Sequence, residues 1–286
     1  MRTLTRLIFL LAVAIGPSAA AFQPSGKAAT SADQAAPNQA EKLLDELERV
    51  DGNLETLRAR VQYTKTFAIQ GDRQERRGTL YYERGGEGES PDRRFAIRFE
   101  ELVVGQRLER EEQFYVFDGE WVVEKVPSDR QFTKRHVVPP GESFDPLRIG
   151  EGPFPVPIGQ RKKDITDRFH ASVPDVTEGL PEWLHPFAQD KDIRQLHLVP
   201  REGTTEADDF ERVRVWYRRM ETPGGTPTLI PQIARAIEPI GDESLVILTD
   251  ILVNQPIEDE VFDTSTPPRG AAWNVHIQPW RQAEPE

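Results

Sequence analysis

The chain has 286 residues, a formal net charge of −12, 24 prolines, 20 glycines and no cysteine. An acidic surface lacks the basic patch that phosphate backbones require, and it does not adhere electrostatically to anionic lipid headgroups. Without cysteine there is no disulfide framework, no thiolate catalysis and no cysteine metal site, so stability rests on core burial, which a chain of this length supplies.

The first 21 residues read as an export signal. Arg2 and Arg6 form a basic start, Leu7 to Ile15 a short apolar run, and Gly16-Pro17 breaks it before the small residues Ser18 to Ala21. Cleavage is expected near Ala20/Ala21, giving a soluble periplasmic protein. Residues 22–39 are rich in Ala, Ser, Pro and Gln and read as a disordered linker. The folded domain is placed at 40–280, with 281–286 as a disordered tail.

The domain opens on an apolar stripe at helical spacing: Leu43, Leu47, Val50, Leu54, Leu57 and Val61. Gly52 sits inside this stripe and marks a break or bend. The period then changes. Tyr63, Phe67 and Ile69 alternate with polar residues up to Gly71-Asp72. Leu80 and Tyr82 form the next strand, and Phe95, Ile97 and Phe99 alternate with Ala96 and Arg98.

A hairpin from Gln113 to Phe132 follows, with Asp118-Gly119 at its tip and a second turn at Pro127-Ser128-Asp129. Asp-Gly between apolar strands predicts a type I′ turn, with positive φ at both central residues. Phe114, Val116, Trp121 and Val123, with Tyr115, Phe117 and Val122 between them, leave both hairpin faces apolar. One face packs on a core; the other needs a covering element, a cavity or a ligand.

Pro139 to Gly159 holds Pro139-Pro140-Gly141 and the run Pro153 to Gly159, and predicts a long loop across the sheet. Gln160 to Ala171 reads as a short charged helix. Trp183, Leu184 and Phe187 form an apolar lid segment. Strands resume at Leu196 and Leu198, then at Val213, Val215 and Tyr217, which alternate with arginines. Leu229 to Ile237 carries Pro231 and is expected at an edge or a bulge, whereas Leu245 to Val253 is apolar enough for burial on both faces. The whole reads as an antiparallel meander.

Catalytic signatures are weak. His136, His170, His185, His197 and His276 fall in no metal-ligand spacing, and no serine lies in a nucleophile motif. Asp208-Asp209 and Glu258-Asp259-Glu260 are carboxylate clusters beside turns; they would support hydrolysis only with a buried, raised-pKa member. No enzyme activity, metal or cofactor is expected. The surplus of apolar side chains on sparsely covered strands instead points to a hydrophobic cavity or a partner.

The motifs Gly78-Thr79-Leu80-Tyr81-Tyr82-Glu83-Arg84, Val116-Phe117-Asp118-Gly119-Glu120-Trp121, and Asn254 to Phe262 followed by Thr266-Pro267-Pro268-Arg269-Gly270 resemble, in order and spacing, the LolA-like periplasmic outer-membrane lipoprotein carriers. The resemblance spans roughly residues 40–276. It implies a mainly β (α+β) fold: one antiparallel sheet curled into an unclosed half-barrel, with an N-terminal helix and lid segments over an apolar cavity. It further implies non-enzymatic carriage of lipoprotein acyl chains between an inner-membrane donor complex and an outer-membrane acceptor. On that template Leu80, Tyr82, Phe95, Ile97 and Phe99 line the cavity, with Phe114, Val116, Trp121 and Val123 from the hairpin. Val213, Val215 and Tyr217 complete it, and Arg84 contacts the lid. The chain departs from the family in having Arg84-Gly85 where the family has Arg-Pro, and in its longer charged middle, Pro139 to Glu206. A regulatory sensor of the same fold, binding lipid or a partner protein, is the alternative.

Overall fold

The computed structural model describes residues 31–85, 92–138, 147–149, 157–190, 192–268 and 272–280. The export signal at 1–21, residues 22–30 of the linker, the Pro139-Pro140-Gly141 turn, Arg269-Gly270 and the 281–286 tail lie outside the described residues. The elements are α1 (Ser31–Asp51), β1 (Thr56–Phe67), β2 (Asp72–Gly85), β3 (Asp92–Val104), β4 (Arg107–Phe117), β5 (Trp121–Val126), β6 (Gln131–His136), α2 (Lys162–Arg168) and β7 (Phe169–Ser172). They continue with α3 (His185–Ala188), β8 (Ile193–Pro200), α4 (Glu206–Asp209), β9 (Arg212–Glu221), β10 (Pro227–Ile237), β11 (Glu243–Val253) and β12 (Asn274–Gln278). All strands join one 12-stranded sheet in the order β12-β6-β5-β4-β3-β2-β1-β11-β10-β9-β8-β7. Every pairing is antiparallel except β12 on β6. The fold is therefore mainly β, an unclosed sheet with an N-terminal helix.

Helix α1 starts at Ser31, inside the stretch read as linker, and ends at Asp51. The expected stripe beyond Gly52 belongs to strand β1 instead. Leu57 and Val61 are four residues apart, a separation that suits a helical face and a strand face equally. The tight turn decides: Asn53 N–H donates to Val50 O at 3.0 Å and Leu54 N–H to Asp51 O at 3.1 Å, and the strand begins three residues after Asn53.

Alternation along the strands gives the sheet two covered faces. On the concave face Leu57, Ala59, Val61, Leu80, Tyr82, Phe95, Ile97 and Phe99 share one core with Leu196, Leu198, Val213, Val215, Tyr217, Val246 and Leu248 from the other half of the sheet. The α1 residues Leu43, Leu44 and Val50 enter that core, with Leu47 packed against it, as do Leu147, Ile149, Ile158 and Ile165 from the crossing segment. On the convex face there are two smaller clusters. Leu180, Leu184 and Ala188 cover Trp216, Ile233, Leu245 and Ile247. Phe262, with Ile257, Val261 and Trp273, covers Ala96, Val116, Val123 and Phe132.

The Trp183 segment is thus a cover, but of the convex face, and Trp183 itself is largely exposed. Pro231 lies on an interior strand, not an edge. It sits at a register shift on β10, before the pairing with β11 starts at Ile233, so its missing N–H breaks no ladder on that side. Strand β11 is buried on both faces from Ser244 to Leu248, but the expected burial does not extend unbroken to Val253: Thr249, Asp250 and Leu252 are exposed.

Two local details differ from expectation or explain a motif. At the hairpin tip only Gly119 has positive φ, 111°. Asp118 instead accepts from Glu120 N–H at 3.0 Å and Trp121 N–H at 2.8 Å, an Asx turn in place of type I′. Gly78 stands at a bulge between β2 and β3, where a Cβ would lie 1.9 Å from the Arg98 carbonyl oxygen. Only glycine permits that approach.

Candidate functional site

The hairpin's two-sided apolarity resolves into one residue set per face. Tyr115, Phe117 and Val122 point into the concave core. Val116 and Val123 pair across β4 and β5 on the convex side, in the cluster with Phe132. The predicted lining residues divide accordingly. Leu80, Tyr82, Phe95, Ile97, Phe99, Val213, Val215 and Tyr217 converge on the concave face. Val116 and Val123 line a convex cavity together with Phe114, and Trp121 shares their side of β5, its ring centre 4.7 Å from that of His136 and tilted by 57°.

The concave chamber is occupied by the protein's own side chains. Phe99 and Tyr82 are 0 % exposed and share one core with Leu43, Leu44 and Val50 of α1, which packs chiefly on β7 and β10. Among the described residues, the space beside Leu47, Leu54, Ile158, Tyr217 and Leu229 is about 20 Å³, room for about one water molecule. Among the described residues, the hollow expected there is filled by the protein's own side chains. The sequence could not show this, because the helix that looks like an outer cover is itself the filling.

Ion pairs around the rim hold the stopper. Arg84 Nη1 lies 2.5 Å from Asp51 Oδ2, at the last residue of α1, and Arg93 Nη2 lies 3.7 Å from the same oxygen. Arg93 also donates to Gly159 O at 2.8 Å, so one guanidinium joins the helix end to the crossing segment. Gly159, at φ 69°, leaves no room for a side chain there: a Cβ would meet Arg93 Nη2 at 2.5 Å. Farther along, Glu46 pairs with Arg194 at 2.6 Å and Arg219 at 2.8 Å, and Asp45 with Lys162 at 2.7 Å. The Arg194 hydrogen bond holds the Glu46 carboxyl below its ordinary range, against the opposing effect of partial burial. Arg84 thus touches α1, the element that closes the chamber.

Polar groups on the concave side gather at one end. Gln113 Nε2 donates to Tyr115 Oη at 2.6 Å and to Glu124 Oε1 at 2.8 Å, and Tyr115 Oη donates to Glu124 Oε1 at 3.1 Å. Burial, then the Glu124 charge, push the Tyr115 phenol upward, and burial alone does so for Tyr217. Both phenols stay neutral.

The convex cavity has a volume of about 310 Å³. Its floor is Ala96, Val116, Val123 and Phe132, and its roof is the strap of residues 257–265. The strap is anchored at both ends. Asn254, at φ 52°, accepts from Glu55 N–H at 2.9 Å and donates to Asn53 O at 2.8 Å, fastening the end of β11 to the start of β1. Arg94 pairs with Asp259 at 2.9 Å and lies 4.6 Å over the Phe262 ring. Thr264 Oγ1 donates to Asp118 Oδ2 at 2.5 Å, and Lys134 Nζ donates to Thr264 O at 3.0 Å. The Asn254 and Asp118 motifs are both strap anchors.

The carboxylate clusters stay apart. Asp208, Asp209, Glu258, Asp259 and Glu260 are all exposed. Among the buried acids, which also include Glu75 and Asp242, Glu206 lies 2.7 Å from Arg168, with side-chain exposures of 7 % and 8 %. Burial raises its carboxyl, but the Arg168 hydrogen bond and charge outweigh that and hold it low. Arg168 also donates to Asp164 O and Ile149 O, which ties α2 and the crossing segment to α4. Among the described residues no three His, Asp or Glu side chains form a metal-binding group, and no helix is long and apolar enough to cross a membrane.

No protein-family model matches the chain. No curated protein matches it either. Among solved structures it is similar to a DUF1329 family protein from Desulfovibrio piger, at 14 % identity and TM-score 0.39 over 79 % of this chain and 97 % of that one. It is also similar to a LolA superfamily protein from Nitrosomonas europaea, at 11 % identity and TM-score 0.35 with the same coverages. An outer-membrane lipoprotein-sorting protein domain from Vibrio parahaemolyticus matches at 10 % and 0.36 over 79 % and 97 %.

Proposed function

We propose that this chain is a periplasmic, non-enzymatic carrier that takes up acyl chains against its concave face when α1 withdraws. The observation that carries this reading is the nature of the stopper. The chamber is apolar from both halves of the sheet, yet it is filled by a separate helix whose polar ties lie at the rim. Hydrocarbon can replace such a stripe like for like.

The magnitudes make the exchange feasible. Withdrawing Leu43, Leu44, Leu47 and Val50 costs roughly 6–12 kcal/mol, at about 1.5–3 kcal/mol per apolar side chain. An acyl chain returns about 0.8 kcal/mol per buried CH₂, so roughly a dozen methylenes match it. The Arg84–Asp51–Arg93 cluster then sets the threshold for opening. Lipoprotein acyl chains are the substrate class that the motif resemblance implies, with an inner-membrane donor and an outer-membrane acceptor as partners.

Native mass spectrometry of protein purified from an envelope fraction tests the reading. Acylated species are expected on the wild type and absent from Phe99→Asp. A lipid-free wild type that also ignores an added acylated lipopeptide, even with Asp51→Asn loosening the helix, overturns it.

A further inference from the structure

We infer that the convex-face cavity is a second binding site, for a single-chain amphiphile with an anionic head. The site goes beyond the acyl-carrier reading, lies on the opposite side of the sheet, and stands or falls independently.

Its volume, about 310 Å³, is at the low end of the range that small-molecule clefts occupy, about 300–1,000 Å³, and suits one short chain. Its walls are mixed in the way such sites require. Ala96, Val116, Val123 and Val261 supply apolar surface, and polar groups converge at one end.

The charges there are not equally satisfied. Arg98 is paired with Glu112 at 2.6 Å. Asp263 accepts from Ser265 N–H at 2.9 Å and from Ser265 Oγ–H at 2.8 Å. Glu260 is exposed to water. Lys125 differs. Its Nζ lies 5.6 Å from the Phe114 ring centre and 5.5 Å from that of Trp273; its charge reaches the Asp263 carboxyl, but among the described residues it forms no salt bridge. An ammonium held between two ring faces is oriented and partly dehydrated, but it keeps hydrogen-bond donors to spare. A carboxylate or phosphate head would complete it, while a hydrocarbon tail would lie along Val116 and Val123.

Decanoate is the probe, with decanol as its headless control, titrated into protein with labelled valine methyl groups. Shifts are expected at Val116, Val123 and Val261, which border the convex cavity, ahead of Val61, Val213 and Val215 on the concave face. Lys125→Met, a surface change that preserves the fold, should weaken decanoate at least tenfold and leave decanol unchanged. Ala96→Phe, checked for folding by circular dichroism, should abolish both. Shifts confined to the concave valines overturn this inference while leaving the carrier reading intact. Equal decanoate affinity for wild type and Lys125→Met overturns it as well.

Discussion

The two faces of the sheet are both covered, but by different means. The concave face is packed by α1, chiefly against β7 and β10, and by the crossing segment, and among the described residues the space left beside Leu47 and Tyr217 holds about one water. The convex face is covered by two straps: residues 180–188 lie over β9 to β11, and residues 257–265 lie over β3 to β6 and leave a cavity. Close packing without voids marks the side where stability resides. A roof hung from a few polar anchors over open space marks the side where something can enter without unfolding the core.

The contrast can be broken by mutation. Phe99→Ala, at the centre of the concave core, should cost about 3–5 kcal/mol, because it removes a fully buried ring and leaves a cavity. Phe114→Ala on the convex side should cost about 1–2 kcal/mol, since that ring is only partly buried. Urea denaturation of the two variants checks the pair, and equal losses would erase the distinction.

Glu206→Gln comes next. It strands the buried Arg168 and should cost about 3 kcal/mol at neutral pH. The Glu206 carboxyl is held below its ordinary range in the folded state, so its contribution is present above that range and lost as pH falls through the lowered value. The gap between wild type and variant should therefore close in acid, as thermal melts across pH will record.

Asn254→Ala should cost about 1–2 kcal/mol through lost side-chain bonds to Glu55 and Asn53. Its larger signature is local: hydrogen exchange should quicken in residues 257–265 and stay slow in β1 to β3. Asp51→Asn should have the smallest effect on stability, about 1 kcal/mol, since the amide oxygen still accepts from Arg84 and only the charge is lost. It should nevertheless speed lipopeptide uptake, because it releases the end of α1. Stopped-flow fluorescence with a labelled lipopeptide measures that rate.

Much of the fold was legible in sequence because strand alternation is a local signal. Phe95, Ile97 and Phe99 show their face without reference to any partner strand, and so do Val213, Val215 and Tyr217. What failed to show did so where the period is ambiguous or the partner remote. Leu57 and Val61 satisfy a helix and a strand alike. Phe114 to Phe117 are apolar on both faces, so parity depended on which cover each face receives. The Arg84–Asp51–Arg93 cluster joins residues far apart in sequence, and Arg168–Glu206 bridges thirty-eight positions. Asp118 was noticed as a turn residue, and its second task, receiving Thr264, lies 146 residues downstream.

The parallel pairing of β12 along β6 has a mechanical outcome of its own. That short strand occupies the hydrogen-bonding rim which an incoming chain would otherwise copy. It is exposed along its whole length and follows the strap in the chain. Clipping the polypeptide between residues 268 and 274 would therefore bare the rim of β6 while leaving the body of the sheet in place. The trimmed molecule would then be prone to polymerise edge to edge.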